Sequence, residues 1–223
     1  MRELYRANLK RLGQDLTMIA ELVHTAMVDA RTALETADVH RAEQVITEDA
    51  RIDLLQQHLD EQCIQLLALQ APVATDLRTV VASLRMSSSL ERMGDLARHI
   101  AQLTRLRYPE MVVPDALRPT FTAMAADAVE VAAQTVLLLD TQDLAHSDRI
   151  RALNERINGL HVDVFRAIAA PGWSENAPTT TDVTLASRYL ERFTDHGVSV
   201  ATKVRYLVTG EWKAENADRA PLH

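Results

Sequence analysis

The 223-residue sequence is short of turn-formers. It has six glycines and seven prolines, about half the usual share of roughly 12%. An all-β chain needs a turn every ~8–12 residues, so that class is excluded. Aromatic residues make up only 4% of the chain, which leaves Ala, Leu, Val, Ile and Met to fill the core. The single cysteine, Cys63, excludes an internal disulfide and a Cys-based zinc site and fits a reducing compartment. Clusters of Lys and Arg are missing and the net charge is −7, which argues against a nucleic-acid partner. There is no Gly-rich phosphate loop. The start of the chain has no uninterrupted apolar stretch of the kind a secretory signal requires. The longest uncharged run, 62–75, includes three Gln and a Pro, whereas a membrane span takes about 20 mostly apolar residues. These absences predict a cytoplasmic protein that meets membranes only through its partners.

What is present is helical periodicity between clusters of proline. Helices are predicted over about 2–36, 38–70 and 74–107, then beyond the proline-rich boundary 108–119 to about 140, and over about 143–169 and 180–208. Asp38 and Asp143 stand where N-caps belong. Pro72 ends the second helix, and Gly210 suits the left-handed position after the sixth. The polar segment beyond it reads as a mobile tail. The two halves look like copies. Thr36-Ala-Asp38-Val aligns with Thr141-Gln-Asp143-Leu, and Leu90-Glu-Arg-Met-Gly-Asp95 with Leu190-Glu-Arg-Phe-Thr-Asp195. The fold class is therefore all-α: six helices in two tandem three-helix bundles, an internal duplication with domains 1–108 and 109–223.

Carboxylates mark the candidate chemistry. On the second helix Val45, Ile52, Leu55, Leu59, Cys63 and Leu66 form an apolar stripe, with Asp49 and Asp53 one turn apart on its edge. On the third helix the face through Leu77, Val81 and Leu84 continues into Ser88, Glu91, Asp95 and His99. If the two helices are antiparallel about Pro72, Asp49, Asp53, Glu91 and Asp95 lie at matching heights and face one another. Like charges one turn apart cost ~0.2–0.5 kcal/mol per pair, so such a cluster calls for cations. Two readings follow. Oxygen-only ligands suit a hard ion, Mg²⁺, Ca²⁺, Mn²⁺ or iron. Equally, Arg51, Arg92 and Arg98 can neutralise the acids. The second half keeps Glu191 and Asp195 but carries Asn154 and Asn158 where Asp49 and Asp53 stand, so it predicts a weaker site. His196 reads as a packing residue. Glu21-x-x-His24 has a di-iron spacing, but it is single where two are required. Ser87-Ser88-Ser89 has no His or Lys at a useful offset, and nothing reads as a catalytic constellation.

Gln70-Ala-Pro72-Val-Ala-Thr-Asp76-Leu-Arg78, Asp49-x-x-Ile-Asp53 and Leu90-Glu-Arg-Met-Gly-Asp95-Leu-Ala resemble the signature of the PhoU family of phosphate-signalling regulators. Leu190-Glu-Arg-Phe-Thr-Asp195-His196 and Tyr206-Leu-Val-Thr-Gly210-Glu211 resemble its second repeat. The resemblance spans about residues 4–212. It implies two similar three-helix bundles side by side and a negative regulator of the phosphate-starvation response and of high-affinity uptake. Its implied partners are an ABC phosphate transporter, through the ATPase subunit, and the sensor histidine kinase of a two-component system. It also implies a homodimer and multinuclear metal clusters on paired acids: Asp49, Asp53, Glu91 and Asp95 in the first half, Glu191 and Asp195 in the second. The chain departs from the pattern at Asn154 and Asn158. The expected function is thus a non-enzymatic interaction protein. The alternatives are a di-metal carboxylate enzyme (phosphohydrolase or oxidase) and a metal-storage bundle.

Overall fold

The structure, a computed structural model, describes residues 2–211. Six long helices account for nearly all of them: α1 (Arg2–Thr36), α2 (Val39–Gln70), α3 (Ala74–Arg107), α4 (Arg118–Thr141), α5 (Leu144–Ala169) and α6 (Ala177–Thr209), with a 3-10 turn at Asp115–Leu117 before α4. No strand occurs among the described residues. The predicted tail, from Trp212 onward, lies outside them.

The helix ends follow local chemistry. Asp38 accepts a hydrogen bond from the Arg41 backbone N–H, and Asp143 from that of Ala145. Each capping acid is preceded by a residue in the left-handed region, Ala37 at φ 52° and Gln142 at φ 57°. These two sit 105 positions apart, so the duplication extends to backbone conformation. A left-handed non-glycine residue costs roughly 1–2 kcal/mol. Gln142→Gly is therefore expected to raise stability by about 0.5–1 kcal/mol, seen as a thermal midpoint higher by ~1–4 °C. One boundary differs from expectation. α6 begins at Ala177, not near Thr180, because Asn176 accepts from the Thr179 N–H and Pro178 falls in the first turn, where its missing donor is no loss.

Packing is pairwise within each half, α1, α2 and α3 on one another and α4, α5 and α6 likewise; across the halves α3 lies on α6 and α1 on α4. One apolar core runs through both. Even the proline-rich connection contributes, burying Val112, Val113 and Leu117. α3 and α6 are antiparallel: Ser89 meets Ser199, the His99 ring lies 5.1 Å from that of Tyr189, and Arg107 pairs with Asp182. Ser89 and Tyr189 are 100 positions apart, as are His99 and Ser199. The seam is thus a pseudo-two-fold axis between the repeats.

The expected stripe on α2 is buried at Val45, Ile52, Leu59, Cys63 and Leu66, with Leu55 partly covered. Burial, helped by the charge of Asp60, pushes the Cys63 thiol up to about 12, so it stays protonated and inert. On α3 the expectation needs correction. Leu77 and Val81 are exposed, and the buried face passes through Val80, Ser83, Ser87 and Leu90 instead. α4 brings a second correction. Asp115–Thr141 is long and apolar enough to cross a membrane by length and composition. Counting uncharged runs misses it because Asp127 and Glu130 interrupt the run. This helix packs against α1, α5 and α6 and buries Asp127.

α6 crosses α4 closely at Gly197. A Cβ there would lie 2.6 Å from Val131 Cγ1, on a stiff β-branched side chain. Gly197→Ala gains about 1 kcal/mol of helix propensity but incurs overpacking of about 1–3 kcal/mol. The expected result is a net loss of about 1 kcal/mol in urea unfolding.

Candidate functional site: two unequal acidic clusters

The α2–α3 hairpin brings the first four acids together as the spacing predicts. Asp49 is buried and Asp53, Glu91 and Asp95 are partly buried. Asp53 and Asp95 are each close enough to raise the pKa of Asp49, and the same two raise that of Glu91. The close approach comes from Gly94: a Cβ there would stand 2.9 Å from Ile52 Cδ1 and 3.3 Å from Asp49 Oδ1. Gly94 is what lets α3 lie directly on Asp49. The signal was in the sequence, a glycine inside a strongly helical pattern, which marks a packing demand.

The counter-charge at the cluster is arginine. Arg98 Nε lies 2.5 Å from Asp49 Oδ2, and the far side of its guanidinium pairs with Asp95. Arg92 reaches Asp95 at 2.9 Å and Glu91 at 3.5 Å. Of the three arginines named from sequence, Arg92 and Arg98 neutralise the cluster, while Arg51 is exposed on α2. The fit is incomplete. Arg98 Nε approaches Asp49 off its N–H direction and is a buried polar atom without a hydrogen bond. Burial, the largest influence, pushes Asp49 from 3.8 to about 6 against the lowering effect of Arg98. Burial and the charge of Asp95 likewise raise Glu91. The donor set is hard oxygen and fits Mg²⁺, Ca²⁺, Mn²⁺ or iron in kind. As placed, no three acidic, His or Cys side chains among the described residues gather about one point.

In the second cluster an amide takes the arginine's place at Asp195, and one arginine serves Glu191. Asn154 Nδ2 donates to Asp195 Oδ1 and to Thr194 Oγ1, both at 3.0 Å, and Asn158 Nδ2 donates to Asn154 Oδ1 at 3.3 Å. Glu191 pairs with Arg188 at 2.5 Å, and burial together with Asp195 raises its pKa. The repeats differ as sets. Where the first has Asp49, Gly94 and Arg98, the second has Asn154, Thr194 and Val198. An acid with its arginine has been exchanged for an amide with its hydroxyl. His196 is half-buried and its pKa is lowered, first by burial and then by Arg192. Glu21 is exposed on α1, with His24 partly buried one turn on.

The PhoU domain matches the chain twice, over residues 16–104 and 121–204. The chain belongs to the PhoU family. The two matches fall on the two bundles, so family and duplication agree. PhoU homolog 2 of Mycobacterium tuberculosis, a phosphate-specific transport system accessory protein, is 38% identical over 212 residues, covering 94% of this chain and 99% of that protein. PhoU homolog 1 of Mycobacterium leprae is 36% identical, with 97% of each covered. The crystal structure of the phosphate transport system regulatory protein PhoU from Streptococcus pneumoniae superposes with a TM-score of 0.82 at 26% identity, over 94% of this chain and 99% of that one. PhoU proteins are regulatory accessory proteins and not enzymes, so the carboxylates are not read as a catalytic centre.

Proposed function

We propose that this PhoU protein is a negative regulator of the phosphate-starvation response and of high-affinity phosphate uptake. It acts in the cytoplasm by contact with the ATPase subunit of an ABC phosphate transporter and with a sensor histidine kinase. The observation that carries the reading is the end-to-end match to relatives named as phosphate-specific transport system accessory proteins. Long amphipathic helices joined by short connections suit docking on other helices. To hold the response off, the chain must bind the quiescent form of its partner more tightly than the active form, or it shifts nothing. The test is the transcript level of uptake genes in a strain lacking this chain, grown with abundant phosphate. Expression that switches on, and falls silent again when the intact chain is restored, supports the reading. Continued silence, with paralogues also removed, overturns it.

The first acidic cluster, Asp49, Asp53, Glu91 and Asp95, is the place where a hard cation would be held. Its chemistry there would be charge neutralisation, the role Arg98 now fills. The cation and Arg98 therefore compete for Asp49 and Asp95. Arg98→Gln is expected to raise Mn²⁺ affinity severalfold by isothermal titration, and Asp49→Asn to lower it. Equal affinity in all three proteins removes this cluster from consideration. Glu191 and Asp195, already satisfied by Arg188 and Asn154, are expected to bind more weakly. A homodimer is expected as well, and sedimentation would test it.

A further inference from the structure

A groove of about 340 Å³ opens between the first turns of α3 and the last turns of α6. Its floor is apolar, formed by Leu77, Val81 and Tyr206, and its sides carry Arg78 and Arg85 from α3 and Lys203 from α6. Leu77 and Val81 are 40% and 37% exposed. No acidic residue among the described residues lines it, although the chain as a whole carries −7. Arg78 is held in place: it donates to Thr75 Oγ1 at 3.1 Å and lies over the Tyr206 ring, 5.8 Å from its centre. Lys203 donates to Ser199. Neither Arg78 nor Arg85 has a carboxylate within ion-pair distance among the described residues, in contrast to the arginines of the acidic clusters.

The duplication supplies an internal control. The pseudo-two-fold axis carries each α3 position onto the α6 position 100 residues later. At the other end of the seam, Pro178, Leu185 and Leu103 stand where Arg78, Arg85 and Lys203 stand here, and Leu106 replaces Tyr206. The cation that α3 brings to α6 at that end, Arg107, is paired with Asp182 across the seam, and none stands at the positions equivalent to Arg78, Arg85 and Lys203. Arg78 and Arg85, with no acid set against them as Asp182 is set against Arg107, answer to something other than the packing of α3 on α6.

We propose that this groove docks an acidic amphipathic helix of a partner protein. Arg78 and Arg85 are seven residues apart, about 10 Å along the helix axis. The matching segment carries carboxylates two turns apart that flank apolar anchors at i, i+3 and i+4. Charge complementarity fixes register and speeds encounter, and apolar burial supplies the affinity. An anionic membrane is a poorer occupant. The surface is concave, the chain is acidic overall, and three cations offer only about 1 kcal/mol each at a lipid surface. Free phosphate is poorer still, because an apolar floor gives a hydrated anion nothing in exchange for its water.

The proposal rests on the accessory-protein reading for where its partner is to be found. The test uses the full chain and fluorescein-labelled peptides of about five helical turns, tiling the cytoplasmic parts of the phosphate transporter and the sensor kinase of the same organism. Fluorescence anisotropy is the readout. We expect an acidic amphipathic peptide to bind and to lose at least about tenfold in affinity on Arg78→Glu or Arg85→Glu. Exchanging for Lys only the carboxylate that faces residue 85 should restore binding to the Arg85→Glu chain. Val81→Asp should weaken binding, and Leu106→Glu, at the opposite end, should leave it unchanged. Circular dichroism confirms that each variant folds. Peptide binding indifferent to Arg85→Glu overturns the proposal. So does Arg85-dependent binding of phosphatidylglycerol vesicles or inorganic phosphate with no peptide bound. If the intact ATPase subunit or kinase binds and none of these variants weakens it, the groove is wrong and the accessory role stands. If neither intact partner nor any peptide binds, both fail.

Discussion

Asp49→Asn should make the metal-free chain more stable above pH 6 and leave it unchanged near pH 3.5. Burial raises the Asp49 pKa from 3.8 to about 6 in the folded protein. Between those values the folded state binds the proton more tightly than the unfolded chain does, so stability falls as pH rises through this window. Above pH 6 the ionised, buried carboxylate weakens the fold, by up to about 3 kcal/mol from the size of the shift. An amide avoids that penalty, and Arg98 keeps its pairing with Asp95. The other repeat already uses this solution at Asn154. Burial lowers the pKa of His99, His161 and His196, so their contributions rise with pH. They are common to both proteins and cancel in the difference. Urea unfolding from pH 3.5 to 8 in the presence of a chelator should show the variant gaining about 1–3 kcal/mol across pH 4–6. A variant that is less stable at pH 8 would mean that attraction to Arg98 outweighs the burial of Asp49.

Arg156→Ala should be the more damaging change, with a loss of about 3 kcal/mol. Asp127 on α4 has a side chain only 3% exposed, whereas Arg156 on α5 is 60% exposed. The guanidinium holds both carboxylate oxygens, Nε to Oδ2 at 2.5 Å and Nη2 to Oδ1. Removing the arginine leaves a buried charge with neither partner nor water, which costs several kcal/mol. Removing the acid lets Arg156 return to solvent. Asp127→Ala should therefore cost less than Arg156→Ala, and the double variant should lie close to Asp127→Ala alone. A double-mutant cycle in urea reads this directly. Equal, small losses from both single changes would mean that water already reaches Asp127.

The two corrections on α3 and α4 share one physical origin. Periodicity assigns residues to a face of a helix, but it does not say what covers that face. Leu77 and Val81 continue an apolar row, yet the side of α3 that its neighbours bury runs through Val80, Ser83 and Ser87, with Ser87 donating to Asp60 of α2, which leaves the row lining an open groove. Asp127 looks like a break in an apolar run because its partner, Arg156, is 29 residues away on another helix. α6 starts earlier than the pattern predicts for a local reason: Pro178 fits the first turn of a helix once Asn176 caps it.

Much was fixed in the amino-acid order alone. Scarcity of Gly and Pro, capping acids at 38 and 143, and two Leu-Glu-Arg-x-x-Asp segments set the all-α class, the six helices and the duplication. These are local properties of propensity, capping and period. The gathering of Asp49, Asp53, Glu91 and Asp95 also followed from spacing, because a helical hairpin about Pro72 has a single register. Tertiary structure decided the rest. It chose Arg98 over Arg51 as the counter-charge, closed α3 onto Asp49 through Gly94, and gathered Arg78, Arg85 and Lys203 about one groove at one end of the α3–α6 seam. Those outcomes depend on which helix faces which, and at what distance. Burial and Coulomb energy act through space, between residues that the chain holds far apart.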